Sequence, residues 1–169
     1  MTASLSDVFS AEGLLAGRIP GYRPRAQQLE LAEQIAAAIA ENRVLVAEAG
    51  TGTGKTFAYL IPALLSGGKV IVSTGTRTLQ DQLFSRDIPT VRQALNVPVL
   101  VALLKGRANY LCHHHLQRAL ADGRFLSRED ATYAQRIGRF AKRTRSGDKA
   151  ECVDVPESAT VWAMVTSTR

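Results

Sequence analysis

The chain has 169 residues, 46% of them hydrophobic and 21% charged, and a formal net charge of +6. This length fits one domain, and the apolar content is enough to bury a core, which argues against intrinsic disorder. Two cysteines are too few for a disulfide framework, and no apolar run in the sequence is long enough to span a bilayer. Residues 1–16 lack the basic and apolar regions of a signal peptide, so we expect a cytoplasmic protein with no membrane partner.

Helices and strands alternate along the predicted structure. Residues at helical spacing or near cap signals predict four helices: Arg25–Ala40, Phe57–Leu65, Thr76–Phe84 and Ile88–Leu95. Short β-type runs predict three strands: Val44–Ala47, Lys69–Ser73 and Val97–Leu103. This order predicts an α/β fold with a mainly parallel, doubly wound sheet, which binds ligands at the carboxyl ends of its strands.

A glycine-rich loop, residues 49–56, lies between the first predicted strand and the second predicted helix, and its sequence is Ala49-Gly50-Thr51-Gly52-Thr53-Gly54-Lys55-Thr56. Glycines allow successive backbone N–H groups to point at phosphate oxygens, and the following helix adds its positive dipole end. In such a loop Lys55 reaches the β- and γ-phosphates and the Thr56 hydroxyl ligates Mg²⁺. Ala49 replaces the first glycine of the strict pattern, where a small residue suffices. The alternative is a glycine-rich turn that ends in Lys-Thr by chance.

Three further features have both a functional and a structural interpretation. Residues 101–149 hold 11 Lys/Arg against 4 Asp/Glu, which indicates either contact with a polyanion or a solvated helix surface. Thr74, Gly75 and Thr76 follow the second predicted strand and can hold a phosphodiester backbone, although a helix N-cap explains them as well. The Gln28 amide can bond N6 and N7 of adenine, or it can simply belong to the polar face of the first helix.

Four segments together resemble those of the XPD-like superfamily-2 iron–sulfur DNA helicases, and the closest match is the DinG/YoaA branch. They are Arg25-x-x-Gln28, Glu48–Thr56, Ser73–Leu83 and the more specific string Lys105-Gly106-Arg107-Ala108-Asn109-Tyr110-Leu111-Cys112. The resemblance implies a 5′→3′ helicase that uses ATP hydrolysis to move along single-stranded or forked DNA in repair and replication. It also implies the N-terminal part of such a protein, because the sequence has no Asp-Glu pair and so lacks an Asp-Glu-x-His box.

The resemblance also assigns roles to individual residues. Arg25, Gln28 and residues 49–56 would bind ATP, and Lys55 and Thr56 would be catalytic. The residues implied to contact DNA are Thr74, Gly75, Thr76, Lys105 and Arg107. Cys112 would be the first of four ligands to a [4Fe–4S] cluster, with the other three expected beyond Arg169, since Cys152 does not match a ligand position. The run His113–His115 is interpreted as solvated, because consecutive helical side chains point in different directions.

The implied fold is an incomplete RecA-like motor domain over residues 23–107, after a lead-in at 1–22. A mainly helical iron–sulfur insert would begin at 108–169. Without a second motor domain and a Mg²⁺-ordering carboxylate, we expect the chain to hydrolyse ATP negligibly. Two alternatives remain open. One is a phosphate-loop enzyme of another kind, such as a kinase, and the other is a nucleotide- and nucleic-acid-binding module without hydrolysis.

Overall fold

The computed structural model describes residues 4–167, which form helices joined by irregular segments. The chain divides into two compact units, residues 1–103 and 104–169, and each has its own hydrophobic core. The domain limits expected from the sequence, after residues 22 and 107, stay a prediction. No helix in residues 4–167 is long and apolar enough to cross a membrane.

The first unit begins with a short helix, α1 (Leu5–Phe9), held at its start by a capping box. The Ser4 hydroxyl accepts a hydrogen bond from the backbone N–H of Asp7 at 3.1 Å, and the Asp7 carboxylate accepts one from the Ser4 N–H at 3.3 Å. These two bonds satisfy backbone donors that a helix start leaves free. Val8 and Leu15 are fully buried. The segment expected to be only a lead-in therefore contributes to the core of this unit.

Two long helices, α2 (Ala26–Ala40) and α3 (Lys55–Leu65), pack against each other in the first unit. Their small residues Ala32 and Ala58 are both fully buried in the core. α3 starts directly after Gly54, whose φ of 81° is left-handed. Glycine adopts this conformation without the steric cost that other residues meet. Both helices agree with the predicted ones to within two residues.

The remaining helical part of the first unit is α4 (Arg77–Gln82), a π-helical turn (Leu83–Asp87) and α5 (Ile88–Leu95). The Thr76 hydroxyl caps α4 by accepting a hydrogen bond from the N–H of residue 79 at 3.3 Å. This confirms the predicted N-cap. The Asp87 carboxylate is buried and accepts hydrogen bonds from the side chains of residues 82 and 86, at 2.9 and 2.8 Å. A buried carboxylate with such partners is compatible with a packed interior.

The predicted parallel sheet is not formed: residues 4–167 contain no β-strand, and all three segments expected to be strands are irregular. A strand needs a neighbouring strand to pair its backbone N–H and C=O groups, and local sequence cannot supply that partner. Valine, isoleucine and leucine side chains of these three segments consequently face solvent. Val44 is 93% exposed, Ile71 is 95% exposed and Leu100 is fully exposed. The α/β part of the predicted fold class is therefore not shown.

The second unit is mainly helical, with α6 (His113–Asp122), α7 (Arg128–Ala141) and α8 (Trp162–Val165). α6 packs against both α7 and α8. The Ser127 hydroxyl caps α7 by accepting a bond from the Asp130 N–H at 3.0 Å. Two 3₁₀ turns complete the unit: Arg107–Asn109 and Lys149–Glu151. Its core includes Leu116, Ala119, Ala134, Ile137, Phe140, Val161 and Trp162.

Two isolated β-bridges connect the start of the second unit to its later segments. Tyr110 pairs with Asp148, and Leu111 pairs with Thr166, both antiparallel. The Leu111 N–H also donates to the carbonyl of residue 147 at 2.8 Å, and the Cys112 N–H donates to the carbonyl of residue 165 at 2.8 Å. Residues 110–112 are therefore held between two segments that lie far along the chain.

Candidate nucleotide-binding site

The glycine-rich loop is exposed or partly exposed over its whole length. Gly52 and Gly54 both have left-handed φ values, 77° and 81°. A Cβ built on Gly52 would meet no atom within 4 Å, so the loop leaves open space at this position. α3 begins at Lys55, within the last two residues of the loop, and its first backbone N–H groups have no partner within the helix. Loop and helix start together form a region that favours anions.

The Lys55 side chain folds back over the loop that precedes it. Its ammonium donates hydrogen bonds to the carbonyls of Ala49 and Gly50, at 2.5 and 2.6 Å. The Thr53 hydroxyl donates to the same Gly50 carbonyl at 3.0 Å. These bonds place a positive charge beside the loop, at the amino end of α3. A triphosphate bound in the loop would meet that charge.

Gln28 is bonded directly to the glycine-rich loop. It is only 4% exposed, and its side-chain NH₂ donates to the Gly54 carbonyl at 2.9 Å. The structure thus brings together two residues that were predicted to bind the nucleotide. Arg25, which was also predicted to bind the nucleotide, is exposed, and its side chain does not cap α2. Packing around Gly54 is tight, because a Cβ there would lie 2.1 Å from the Gln28 side-chain nitrogen.

Tyr22 also belongs to this site, although no role was predicted for it from the sequence. Its hydroxyl donates a hydrogen bond to the Phe9 carbonyl at 3.0 Å. The same proton is shared with the side-chain oxygen of Gln28, which lies 3.4 Å from the hydroxyl oxygen. Burial raises the pKa of this hydroxyl, and the nearby Arg25 charge opposes the rise. The hydroxyl therefore stays protonated and able to donate. A lone aromatic residue before a helix gives no sequence signal for such a contact.

Thr56, the predicted Mg²⁺ ligand, contacts Tyr59 one turn later on α3. Burial raises the pKa of the Tyr59 hydroxyl, a side-chain hydrogen bond with Thr56 opposes that rise, and the Asp87 charge adds to it. Within residues 4–167, no group of three or more His, Cys, Asp or Glu side chains is arranged to hold a metal ion. Any Mg²⁺ at this place would depend on Thr56 and on oxygens of the bound phosphates.

A cavity of about 820 Å³ opens beside the loop, within the first unit. Its polar lining residues are Asn42, Arg43, Lys55, Thr56 and Tyr59. Its other walls are mostly apolar and include Leu31, Ile35, Ala38, Leu45, Ala47 and Leu79. This volume lies in the range of small-molecule sites, which combine apolar walls with a few polar groups. The cavity is large enough for a nucleotide next to Lys55.

Three of the residues predicted to contact DNA lie together before α4. Thr74 is partly exposed, and Gly75 and Thr76 are exposed. The Thr74 hydroxyl donates to the Thr76 carbonyl at 3.2 Å, while the Thr76 hydroxyl caps the helix. The backbone N–H of Gly75 lies on an exposed turn. The interpretation of Thr76 as a helix N-cap is therefore correct. This capping role leaves the turn exposed and accessible to a phosphate.

Lys105 and Arg107, the other two predicted DNA contacts, differ in exposure. Arg107 is exposed, but the Lys105 side chain is only 4% exposed and its ammonium lies 2.8 Å from a carboxylate oxygen of Asp148, which is 12% exposed. The Tyr110 hydroxyl accepts a bond from the Lys105 backbone N–H at 2.8 Å. Lys105 is thus inside the second unit, unlike the solvent-facing phosphate contact that was expected. Its partner Asp148 is 43 residues away, so sequence could not identify the pair.

Cys112 is partly exposed and stands directly before α6, whereas Cys152 is buried. Burial raises the pKa of the Cys152 thiol, the Asp154 charge adds to this, and Arg143 opposes it. Four thiolates are needed for a [4Fe–4S] cluster. Residues 4–167 offer two cysteines and no metal-binding group, so these residues do not fit the cluster.

The predicted solvated run of histidines is only partly correct. His113 and His114 are exposed, but His115 is partly buried. The Nδ1 of His115 lies 2.9 Å from the carbonyl oxygen of Thr166, so this nitrogen carries the proton and donates. His115 therefore has a structural role, because it ties α6 to the segment after α8.

Residues 28–116 match the DEAD/DEAH box helicase family, and the chain belongs to that family. This range contains all of α2 but its first two residues, the glycine-rich loop, α3 to α5 and the start of α6. More particularly, the chain is 46% identical over 164 residues to the ATP-dependent DNA helicase YoaA of Haemophilus influenzae, and equally to that of Escherichia coli. It is 34% identical over 149 residues to a Bacillus subtilis protein named 3′-5′ exonuclease DinG.

These alignments cover most of this chain but little of each relative. The two YoaA matches cover 97% of the chain and 26% of the relative, and the DinG match covers 83% and 15%. The chain therefore spans about a quarter of the length of the YoaA helicases it matches. The resemblance to the DinG/YoaA helicases that the sequence motifs indicated is confirmed.

Proposed function

We propose that this chain binds ATP with Mg²⁺ through residues 49–56, as part of an ATP-dependent DNA helicase. One observation carries the proposal: the Lys55 ammonium lies over the glycine-rich loop, at the amino end of α3, with Gln28 bonded to the same loop. The YoaA relatives are named ATP-dependent DNA helicases, which supports the same activity for the whole protein.

In this proposal each residue has a definite task. The β- and γ-phosphates draw Lys55 away from the Ala49 and Gly50 carbonyls, and the phosphate oxygens accept hydrogen bonds from Lys55 and from the backbone N–H groups of the loop. Thr56 provides an oxygen ligand for Mg²⁺, which arrives with the phosphates. Gln28 keeps one N–H and one oxygen lone pair beyond its bonds to Gly54 and Tyr22, the pair of groups that adenine N7 and N6 require.

We further infer that residues 43–48, 69–73 and 97–103 are strands of a RecA-like parallel sheet once their partner strands are present. The solvent-facing valines and isoleucine of these segments support this, because such side chains are typical of buried strands. DNA would then contact Thr74, Gly75, Thr76 and Arg107. We propose 5′→3′ movement on single-stranded or forked DNA, in repair and replication, and a cytoplasmic location. For Lys105 to contact DNA as well, its ion pair with Asp148 would first have to break.

For the iron–sulfur cluster we retain only the candidate ligand. Cys112 is partly exposed and stands directly before α6, so a ligand can reach its sulfur. The three further thiolates would have to come from residues that this sequence does not contain. We therefore assign the cluster no part in nucleotide binding by this chain.

The test is nucleotide binding to the chain with Lys55→Ala and, as its matched control, Lys69→Ala. Lys69 is an exposed lysine of the same unit that contacts neither the loop nor the cavity. A charge-assisted contact contributes about 1.5–3 kcal/mol, so Lys55→Ala should weaken affinity for a fluorescent ATP analogue in Mg²⁺ roughly 10- to 100-fold. Equal affinities of the two variants would refute the proposed site.

The second candidate is a nucleotide- and nucleic-acid-binding module that does not hydrolyse ATP. It is favoured by the concentration of positive charge in residues 101–149 and by the absence of an Asp-Glu pair. Under this alternative the chain binds ATP and DNA, but single-stranded DNA does not stimulate phosphate release. Multiple-turnover hydrolysis that disappears in Lys55→Ala would exclude it.

A further inference from the structure

The outward face of α7 carries a regular row of polar and basic residues. At about 100° per residue, positions 128, 132, 135, 139 and 142 fall within an arc of roughly 80°. The residues of this row, which we call the basic stripe, are Arg128, Thr132, Gln135, Arg139 and Lys142, and all five are exposed. Three of them are cations, and none is acidic or apolar.

The acidic residues of α7 are directed elsewhere and are already engaged. The Glu129 carboxylate accepts a hydrogen bond from the Tyr133 hydroxyl at 2.7 Å. Asp130 is buried, and its carboxylate accepts bonds from the hydroxyls of Ser127 and Thr160 at 3.0 and 2.7 Å. No salt bridge within residues 4–167 involves a cation of the stripe. Its three positive charges therefore face solvent without neutralisation.

Helix stability accounts for Arg139, in the last turn of α7, and for Lys142, at its C-cap, because the helix dipole favours cations there, but it does not account for Arg128. Arg128 occupies the first turn of α7, where the helix dipole disfavours a cation by a few tenths of a kcal/mol up to about 1 kcal/mol. The opposite face, with Ala134, Ile137 and Phe140, is buried in the core and already holds the helix in place. The cations thus add charge to a surface that packing does not require.

We propose that the basic stripe of α7 binds the phosphodiester backbone of nucleic acid without reading its sequence. The inference deepens the proposed function, and it rests on that function only in taking nucleic acid as the substrate. α7 has 14 residues and is about 21 Å long, enough to follow about six phosphates of one strand at 3.4 Å each. The stripe contains no aromatic residue to stack on bases and offers only charged and hydrogen-bonding groups, which suits a sequence-independent contact.

The same face does not suit the other common anionic partners. A helix that lies in a membrane surface inserts its apolar face, but the apolar face of α7 is buried in the protein core. Protein interfaces have an apolar or aromatic centre, and the stripe has none. A polyanion with regularly spaced charges is the partner that remains.

The test compares the stripe with a matched set of cations elsewhere on the chain. The stripe variant is Arg128→Gln/Arg139→Gln/Lys142→Gln. The control is Arg18→Gln/Arg92→Gln/Lys69→Gln, which removes the same residue types from exposed positions of the first unit. Each variant lowers the net charge from +6 to +3, since three positive charges are removed. Circular dichroism and thermal melts verify that both remain folded.

Binding of labelled oligothymidine, a mixed-sequence strand and a duplex is measured by fluorescence anisotropy over about 0.05–0.3 M salt. Each phosphate contact contributes about 0.7 to the slope of log affinity against log salt for single strands, so the stripe variant should lose about 2 from this slope. The control should keep the wild-type slope, and the mixed strand should bind like oligothymidine. If the stripe variant melts early, the single variants Arg128→Gln and Arg139→Gln serve instead, and each should lose about 0.7 from the slope.

Three results would overturn the proposal: equal losses in both triple variants, no nucleic-acid binding by the wild-type chain, or stripe-dependent binding to phosphatidylserine vesicles but not to nucleic acid. The outcome is separable from that of the proposed nucleotide site. Lys55→Ala measures the nucleotide site, and the salt slope measures the stripe, so either can fail alone.

Discussion

Replacing Gly54 by alanine should destabilise the first unit by more than the same change at Gly52. Both glycines have left-handed φ values, 81° and 77°, so each substitution carries a backbone cost of about 1–2 kcal/mol. At Gly52 the new methyl group meets no atom within 4 Å, and the cost ends there. At Gly54 it would lie 2.1 Å from the side-chain nitrogen of Gln28.

The additional cost at Gly54 follows from what Gln28 would lose. Its side chain must move, which breaks the 2.9 Å bond to the Gly54 carbonyl and leaves a buried amide without this partner. An unsatisfied buried polar group costs about 1–3 kcal/mol. Gly54→Ala should therefore cost about 2–5 kcal/mol in total, against about 1–2 kcal/mol for Gly52→Ala. For a unit of this size, each kcal/mol lowers Tm by about 4–8 °C.

The assay is urea unfolding followed by circular dichroism in the helical band, for both single variants, Gln28→Ala and Gln28→Ala/Gly54→Ala. Because Gln28→Ala removes the atom that clashes, the double variant should be less destabilised than the sum of its single variants. Equal losses for the two glycine variants, or strict additivity in the double variant, would refute the proposed contact between Gln28 and the loop.

Two further substitutions and one change of pH should alter stability, and one of the substitutions should also alter nucleotide preference. Tyr22→Phe should cost about 1 kcal/mol and lower the ratio of ATP to GTP affinity, because the hydroxyl no longer fixes the Gln28 amide. Asp148→Asn should destabilise the second unit by about 3–5 kcal/mol, because it removes the carboxylate that lies 2.8 Å from the buried Lys105 ammonium. The raised pKa of Cys152 means that the folded state keeps the thiol proton, so this contribution to stability is present below the ordinary pKa of 9.0 and is lost as pH rises above it.

Each of these changes has a measurement and a control. Competition titrations with ATP and GTP report the Tyr22 variant, and an unchanged ratio would contradict the role of its hydroxyl. The fluorescence of Trp162, the single tryptophan and a core residue of the second unit, reports unfolding of the Asp148 variant. Asp122→Asn, at an exposed pair with Arg118, should cost under about 1 kcal/mol. For the thiol, Cys152→Ala should reduce the fall in stability that begins above pH 9.0, and a fall of unchanged size would assign it to other groups.

The helices could be predicted because their signals are local. Apolar spacing over residues 25–40 and a threonine cap at residue 76 each specify a helix within a few residues of sequence. The predicted helix Ile88–Leu95 agrees at both ends. The predicted helix Thr76–Phe84 instead ends at Gln82 and continues as a π-helical turn, a change in hydrogen bonding that side-chain spacing does not reveal.

The sheet and parts of the candidate site depend on contacts between distant residues. The segment Val44–Ala47 has strand-forming side chains, but no described residue pairs with its backbone as a strand. Gln28 and Gly54 were both expected to bind the nucleotide, yet their hydrogen bond to each other, across 26 residues, was not predicted. The burial of Lys105 depends on Asp148 in the same way. Local patterns identified these residues, and only the folded chain defines their partners.

The solvent-facing side chains of Val44, Ile71 and Leu100 have a practical consequence for handling this protein. Branched apolar residues beside unpaired amide groups are a template on which a second molecule can add a strand. Mutual repulsion from the +6 charge opposes such encounters, and salt weakens that repulsion. Concentrated solutions of the protein should therefore aggregate sooner in high salt than in dilute buffer. Proteins that associate through surface ion pairs show the opposite, because salt weakens the attraction between them.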